Sequence, residues 1–517
     1  MSGDHLPVPV SPYGPLGDLA LHVHGLTMRG HHSETLVAAD EAAAVARIFG
    51  DERTERMIEL GRMYALSSLG RLTEAVTVGM ELAELRGTAT GPRSTDAKIL
   101  AAAGGMLISA GRIDEGLHYV ARALALLEVA PRGTWRYLSA LSSLSGAAQE
   151  AELFELADAW LADVFGDVAA DFDDLFRSAG DIQRAEQRLE WALRLEQVGR
   201  VDEAAPLYSS SVQLLRYWAD RELDAPMCLA LLAVALAKTG EHEAALGLVG
   251  KLLLPMREAE QWHEARLLHL AYGVALRETG DLAGARRELL AADELAELPH
   301  HRLIYRYELA VLAVRETPGP GSVELLATVT SQLELLWRLR MDRRTMLRQA
   351  RRRVELEAAR ARADLVATSD ALTGLGNRRR FDLRIDGLRD NLLLIDVDRF
   401  KAINDAFSHV VGDRVLSEIA GVLRAHCRAG DTAIRLGGDE FAMFLAGEVL
   451  DAAAVAERIR QVVLGRHWSA MAPGLSVTVS MGLASPAEGL AGHELYHRAD
   501  RRLYEAKHAG RNRLIFG

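Results

Sequence analysis

The chain predicts a multidomain protein: an all-α helical-repeat solenoid, a long coiled-coil linker helix, and a C-terminal α+β domain with an antiparallel-rich central sheet. Three observations carry this. Turn glycines stand at 30, 70 and 111 and again at 199, 240 and 280, in steps of 40 or 41 residues. A Pro/Gly cluster, Thr317-Pro318-Gly319-Pro320-Gly321, is followed by one unbroken helical pattern. A short apolar run, Asn391 to Val397, then reaches a pair of acids, and further on Gly437-Gly438-Asp439-Glu440-Phe441 lies between two apolar runs.

At 517 residues the chain exceeds one ordinary core, and 49% apolar residues with only 6% aromatics fit helix-rich globular structure. The two cysteines, Cys228 and Cys427, form no disulfide framework and read as small core residues in a reducing compartment. Met1 to Pro12 has no positive segment followed by an apolar run, so the expected location is cytoplasmic, without a secretory signal. The longest apolar stretches, such as Met227 to Ala237, fall short of the ~18 residues a membrane span needs, so no membrane span is expected. A net charge of −12 speaks against bulk nucleic-acid binding. Only five basic residues are lysines: Lys98, Lys238, Lys251, Lys401 and Lys507.

The turns share a grammar. Gly70-Arg-Leu-Thr-Glu-Ala75, Gly111-Arg-Ile-Asp-Glu-Gly116 and Gly199-Arg-Val-Asp-Glu-Ala204 each end one helix on a left-handed glycine, cap the next with Thr or Asp, and place Glu at its positive end. Gly240 and Gly280 begin looser copies, Gly30 an earlier one, and an unmarked turn near Glu152 completes the series. The pattern resembles tetratricopeptide repeats with long helices, since those usually recur every ~34 residues and other helical repeats every ~40 to 47. Such units bury their apolar stripes only by stacking, which implies a protein or peptide partner on the concave face.

After the break, one helix is expected from about Ser322 to Ala367. Leu347, Ala350, Val354, Ala358, Ala361 and Leu365 recur at steps of three and four, as a two-helix seam requires. Ten arginines lie between Arg338 and Arg362. They are compatible with a nucleic-acid or acidic-membrane contact; the reading retained is a solvated coiled-coil flank, with no nucleic acid. The expected limits are 1–320 for the repeats, 321–367 for the linker and 368–517 for the C-terminal domain.

In that last domain, Asn391 to Val397 reads as a buried strand, and alternation puts Asp396 and Asp398 on one face. The Gly437-Gly438 pair reads as a tight hairpin turn in which both glycines take positive φ, which brings Asp439 and Glu440 within reach of a hard cation. Strand-end and hairpin-tip carboxylates suit Mg²⁺ (or Mn²⁺), which prefers few protein oxygens plus substrate phosphate. Lys401 stands at a strand-to-helix junction suited to a triphosphate, and Asn404 with Asp413 can read a guanine edge.

These stretches stand in order with Asp370-Ala-Leu-Thr-Gly-Leu-Gly-Asn-Arg-Arg379, Val479-Ser-Met-Gly-Leu-Ala484 and the run from Ala499 to Asn512. Together the motifs resemble the GGDEF diguanylate cyclases, over roughly the last 30% of the chain; the implied fold is nucleotidyl-cyclase-like, or palm-like. The resemblance implies Mg²⁺ ligands at Asp396, the Val397 carbonyl, Asp439 and Glu440. It implies a catalytic role for Glu440, Asp439 and Lys401, and GTP contacts at Phe400, Lys401, Asn404, Asp413, Lys507 and Arg511. A homodimer would join two GTP into cyclic di-GMP. Arg428-Ala-Gly-Asp431, five residues before Gly437, matches the family's product-binding inhibitory site at Arg428 and Asp431.

One departure is visible. The family usually has glycine before His409; this chain has Ser408, which predicts a small local adjustment. His409 itself reads as a packing residue. The rival function class is a solenoid adaptor that only senses cyclic di-GMP through Arg428 and Asp431; retention of Asp396, Lys401, Asp439 and Glu440 disfavours it. No helix-turn-helix is found that would make a transcription factor.

Overall fold

The computed structural model describes residues 15–84, 93–165, 174–221, 226–259, 261–296, 299–385, 389–428, 430–486 and 492–517. Met1–Pro12 and Ala429, which entered the sequence reading, lie outside them. The chain divides into two compact units, Met1–Glu355 and Leu356–Gly517.

The first unit is all helical among the described residues. Seven antiparallel pairs follow one another: α1 (Gly17–Met28) with α2 (His32–Ile48), α3 (Glu52–Ser68) with α4 (Leu72–Glu84), α5 (Arg93–Ser109) with α6 (Ile113–Leu127), α7 (Trp135–Glu150) with α8 (Phe154–Phe165), α9 (Asp174–Gln197) with α10 (Val201–Ala219), α11 (Pro226–Lys238) with α12 (His242–Glu258), and α13 (Trp262–Thr279) with α14 (Leu282–Glu294). The helix α15 (Pro299–Glu316) and the long α16 (Pro320–Thr368), as far as Glu355, complete it; the rest of α16 belongs to the second unit.

Every pair turns on a residue of positive φ: Gly30, Gly70, Gly111, Glu152, Gly199, Gly240 and Gly280. The spacing argument therefore located all seven turns, including the one without a glycine. Glu152 holds φ 53° because its neighbours fix it. Its carboxylate accepts from Arg194 at 3.0 Å and Arg343 at 3.1 Å, and its carbonyl from Arg340 at 3.3 Å. The array curls until its first turn meets a later one, where Gln261 Nε2 donates to the Arg29 carbonyl at 3.0 Å.

The linker helix begins at Pro320 and ends at Thr368, slightly beyond its expected ends. Its seam residues divide. Leu347 and Ala350 are buried in a core built from α5 to α8, with Val354 packed at its edge. Leu365 is 59% exposed. Nor is the arginine stretch uniformly solvated. Arg340 is buried, forks onto Glu155 at 2.8 and 2.9 Å, and lies 3.7 Å over the Trp337 ring. Arg343 binds Glu152 as above.

The second unit carries a five-stranded sheet in the order β2-β3-β1-β4-β5, from β1 (Asn391–Val397), β2 (Thr432–Gly437), β3 (Glu440–Leu445), β4 (Val479–Ala484) and β5 (Leu514–Ile515). Only β4 and β5 run parallel. The helices are α17 (Arg378–Ile385), α18 (Phe400–Phe407), α19 (His409–His426), α20 (Val449–Gly465) and α21 (His493–His508). The strand β1 is buried along its whole length because helices cover both faces. Leu393, Ile395 and Val397 pack with residues of α18, α19 and α20, while Leu392 and Leu394 pack with α17 and α21. The loop Asp370–Asn377 is tied to the sheet's β2 edge by backbone bonds from Gly376 N to Ala433 O and from Arg435 N to Gly376 O.

Cys228 is buried and Cys427 half-buried, and both are free thiols. Among the described residues no helix is long and apolar enough to cross a membrane.

Candidate active site

Register brings the acids together. In the antiparallel β1–β3 pair Asp396 lies opposite Glu440, and Val397 N donates to the Asp439 carbonyl at 3.1 Å. The turn differs from the expected one. Gly437 pairs with Glu440 behind a bulge between Arg435 and Gly437, so the two turn residues are Gly438 and Asp439. Gly437 is at φ 151° and Gly438 at φ 52°, and Arg435 clamps the Gly438 carbonyl from Nε at 3.1 Å and Nη2 at 2.8 Å. The tip is held from below, with Glu440 exposed and Asp439 half-buried.

Asp396 shares its sheet face with Leu392 and Leu394, the face that α21 covers. That helix comes unusually near: a Cβ on Gly482 would lie 2.2 Å from the Ala499 carbonyl oxygen. The close approach carries Lys507 to Asp396, with Nζ 2.5 Å from Oδ2. Burial pushes the Asp396 carboxyl up to about 6; Lys507 opposes the rise, and the charges of Asp439 and Glu440 add to it. One ammonium therefore does not neutralise the three acids.

Asp398 takes a different role from Asp396. It accepts from Thr478 Oγ1 at 2.7 Å, Ser480 Oγ at 2.6 Å and Asn512 N at 3.0 Å. Asn512 also accepts from Arg460, at 2.8 Å to Oδ1 and 3.0 Å to the carbonyl. These bonds fix the left-handed backbone of Arg511 and Asn512, at φ 62° and 46°, and leave the Arg511 side chain exposed beyond Lys507. Sequence reasoning saw the Asp-x-Asp alternation but missed this anchoring, whose partners lie 80 to 114 residues away.

The junction after β1 turns through Arg399 at φ 57° into α18. Lys401 is exposed there, and Phe400 and Asn404 are half-buried. Asn404 Oδ1 is buried without a hydrogen-bond partner. A Cβ on Gly412 would fall 1.9 Å from that oxygen and 3.2 Å from Phe400 Cζ, so only glycine leaves room for both side chains. Asp413 follows, exposed on α19. Between the two helices Ser408 stands at φ 91°, ψ 157°, a region that essentially only glycine occupies. The expected small adjustment is thus a strained backbone. His409, read as a packing residue, is exposed at the start of α19.

Near β2, the Asp431 carboxylate accepts from Arg428 N at 2.9 Å and Ala446 N at 3.0 Å, while the Arg428 side chain is exposed. Gly430 at φ 96° makes the turn.

Among the described residues no three carboxylate, imidazole or thiol side chains form a ready-made cation cage. The donor set nonetheless fits Mg²⁺ or Mn²⁺: hard oxygens from two strands, in excess of the local positive charge, with coordination positions left for phosphate.

Sheet order, helices on both faces and an acidic sheet end define an α+β domain of the nucleotidyl-cyclase, palm-like class. Residues 367–513 match the family model "Diguanylate cyclase, GGDEF domain", so this stretch of the chain is a GGDEF domain. The response regulator PleD of Caulobacter vibrioides is 43% identical over 164 residues, covering 29% of this chain and 36% of PleD. Diguanylate cyclase DgcP of Pseudomonas aeruginosa is 39% identical over 158 residues, 29% of this chain and 24% of DgcP. The GGDEF domain of DgcB from Caulobacter crescentus, solved with c-di-GMP, is 36% identical, covering 29% of this chain and 95% of that one, with a TM-score of 0.27. The chain thus spans well under half the length of either curated relative.

Proposed function

We propose that this chain is a diguanylate cyclase that joins two GTP into cyclic di-GMP and two pyrophosphates, working as a product-inhibited homodimer in the cytoplasm. The observation that carries the reading is the register: Asp396 faces Glu440 across β1 and β3, beside Lys507. The naming of DgcP as a diguanylate cyclase supports it.

Asp396, the Val397 carbonyl, Asp439 and Glu440 would hold Mg²⁺ or Mn²⁺, which when bound withdraws charge from the attacking and leaving oxygens. Glu440, exposed at the tip, receives the proton of the attacking 3′-hydroxyl. Lys401, Lys507 and Arg511 bind phosphate oxygens, and Asn404 with Asp413 takes the guanine edge beside Phe400. The partnerless Asn404 oxygen supports that last assignment, since a guanine N–H would satisfy it. In each half-reaction a 3′-oxygen-to-phosphorus bond forms, the α–β anhydride bond breaks, and pyrophosphate leaves. One half-site binds one GTP, so a second copy supplies the reaction partner and the proximity.

Arg428 is free to fork onto a guanine or phosphate of the product, and Asp431 orders its turn. The limits 1–320, 321–367 and 368–517 divide the chain into a repeat domain that takes a protein or peptide partner, a linker that sets dimer geometry, and the cyclase. Incubation of the purified protein with Mg²⁺ and GTP, read by chromatography for cyclic di-GMP and by a pyrophosphate assay, tests the reading. Neither product forming would end it.

A further inference from the structure

In the repeat unit, one small pocket is lined by two cations, Lys98 and Arg136. A cavity of about 20 Å³ is lined by Met57, Ser94, Thr95, Lys98, Trp135, Arg136 and Ser139, from α3, α5 and α7. Among the described residues no acid lines it, in a chain whose net charge is −12. The carboxyl of Asp51, the N-cap of α3, is lowered against the rise from burial by its hydrogen bonds and then by the charge of Arg53. Asp96 pairs with Arg56 at 2.8 Å, and Asp51 accepts from Leu16 N, Thr54 N and Thr54 Oγ1.

Three groups register the excess. Burial lowers the Lys98 ammonium to about 8 with no acid opposing the shift. Burial and then the charge of Arg53 lower Arg136. Burial and then the charge of Lys98 lower His24 to about 3. Arg53 in turn has Nη2 buried without a hydrogen-bond partner. A cation taken out of water with no acid beside it, as Lys98 is, is costly unless something pairs with it.

We infer that this cavity is an anion site that takes a phosphoryl group, held by Lys98 and Arg136 with the hydroxyls of Ser94, Thr95 and Ser139. Two lining cations backed by Arg53, with three hydroxyl groups, outnumber the two oxygens and single charge of a carboxylate. They suit the three oxygens and roughly −2 charge of a phosphate monoester. The volume exceeds the ~10–15 Å³ one water needs and admits one compact group, so the rest of any ligand stays outside, beside Trp135. An occupant would tie α5 to α7, the helices that share a core with Leu347 and Ala350 of the linker.

The test is titration calorimetry and thermal melting of the full-length protein at pH 7 with inorganic phosphate, glycerol 3-phosphate and acetate. Phosphate or the monoester is expected to bind at least tenfold more tightly than acetate, the tighter of the two naming the source. Lys98→Met is expected to weaken that binding at least tenfold. It should also raise the melting temperature without ligand, because an unpaired buried charge is gone. Lys507→Met controls for phosphate at the cyclase site and should leave the repeat-unit binding event in place. Equal phosphate binding by wild type and Lys98→Met, acetate binding as well as phosphate, or a lower ligand-free melting temperature for Lys98→Met would each overturn the site. Should Lys98→Met not fold, Arg136→Gln is read for the same loss of phosphate binding.

Discussion

The two units treat charge in opposite ways. In the repeat unit the buried Glu308 meets its partners within the chain: it accepts from Lys238 at 2.5 Å and Arg277 at 2.6 Å, and Lys238 also binds Glu196 at 2.8 Å. In the GGDEF unit Asp396, Asp439 and Glu440 crowd one sheet end, and Lys507 is the cation paired with Asp396. A charge answered within the chain holds helices together. A surplus of one sign, held in place by the backbone, is built for something that arrives. By the same measure Lys98, whose ammonium burial lowers with no acid opposing the shift, stands out inside the repeat unit.

The contrast predicts which substitutions will separate activity from stability. Glu440→Gln removes an exposed acid with no partner to strand, so turnover should fall by about 10²–10⁴-fold while the melting temperature holds. A large loss of stability would mean that Glu440 is structural. Glu308→Ala should do the reverse. It takes one of two acids from each of two buried cations, leaving Lys238 with Glu196 and Arg277 with Glu278, at a cost of about 3 kcal/mol, and should lower the denaturant midpoint of the repeat unit. GTP binding, measured on the same protein by calorimetry, should persist; its loss would break the division between the units.

The next effect is smaller because two terms oppose. Glu152→Gly relieves a left-handed backbone, worth about 1–2 kcal/mol, but removes the carboxylate that pairs with Arg194 and Arg343. The net expectation is a destabilisation of about 2 kcal/mol, read by chemical denaturation. A stabilised variant would show that the ion pairs contribute little.

That same residue marks how far the sequence could be read. Its turn was legible because helix termination is local, and a period of 40 or 41 residues points to it even without a glycine. Its partners were not, since Arg340 and Arg343 bind it across 188 and 191 residues. The linker seam was legible as a stripe, but a stripe facing a second helix and one facing its own repeat unit have the same period. The active-site acids were readable because strand alternation and a hairpin are short-range features. The division of labour between Asp396 and Asp398 was not, because both lie on one face and only distant Thr478, Ser480 and Asn512 separate them. The turn itself shifted by one residue, since a bulge at Arg435 and Gly437 leaves no mark in the sequence.

Ser408 is the counterpart of Glu152, and the smallest predicted effect rests on it. Both are side-chain-bearing residues in left-handed backbone, but Glu152 is buried within a ring of arginines, whereas Ser408 is exposed and only its backbone is bonded, its N–H to the Asn404 carbonyl at 2.9 Å and its carbonyl to Gly412 N at 3.1 Å. Nothing offsets its strain through the side chain. Ser408→Gly should therefore stabilise the GGDEF unit by about 1 kcal/mol, the lower end for such a conformation, whereas glycine at Glu152 destabilises. Because Ser408 joins the helices that carry Asn404 and Asp413, GTP affinity is the second readout. Unchanged affinity with a higher melting temperature would make the strain incidental. Weaker GTP binding in the relaxed variant would mean that the strained serine helps set the spacing of the two guanine-facing residues, and that local energy is held back in this unit for the ligand, as its charge is.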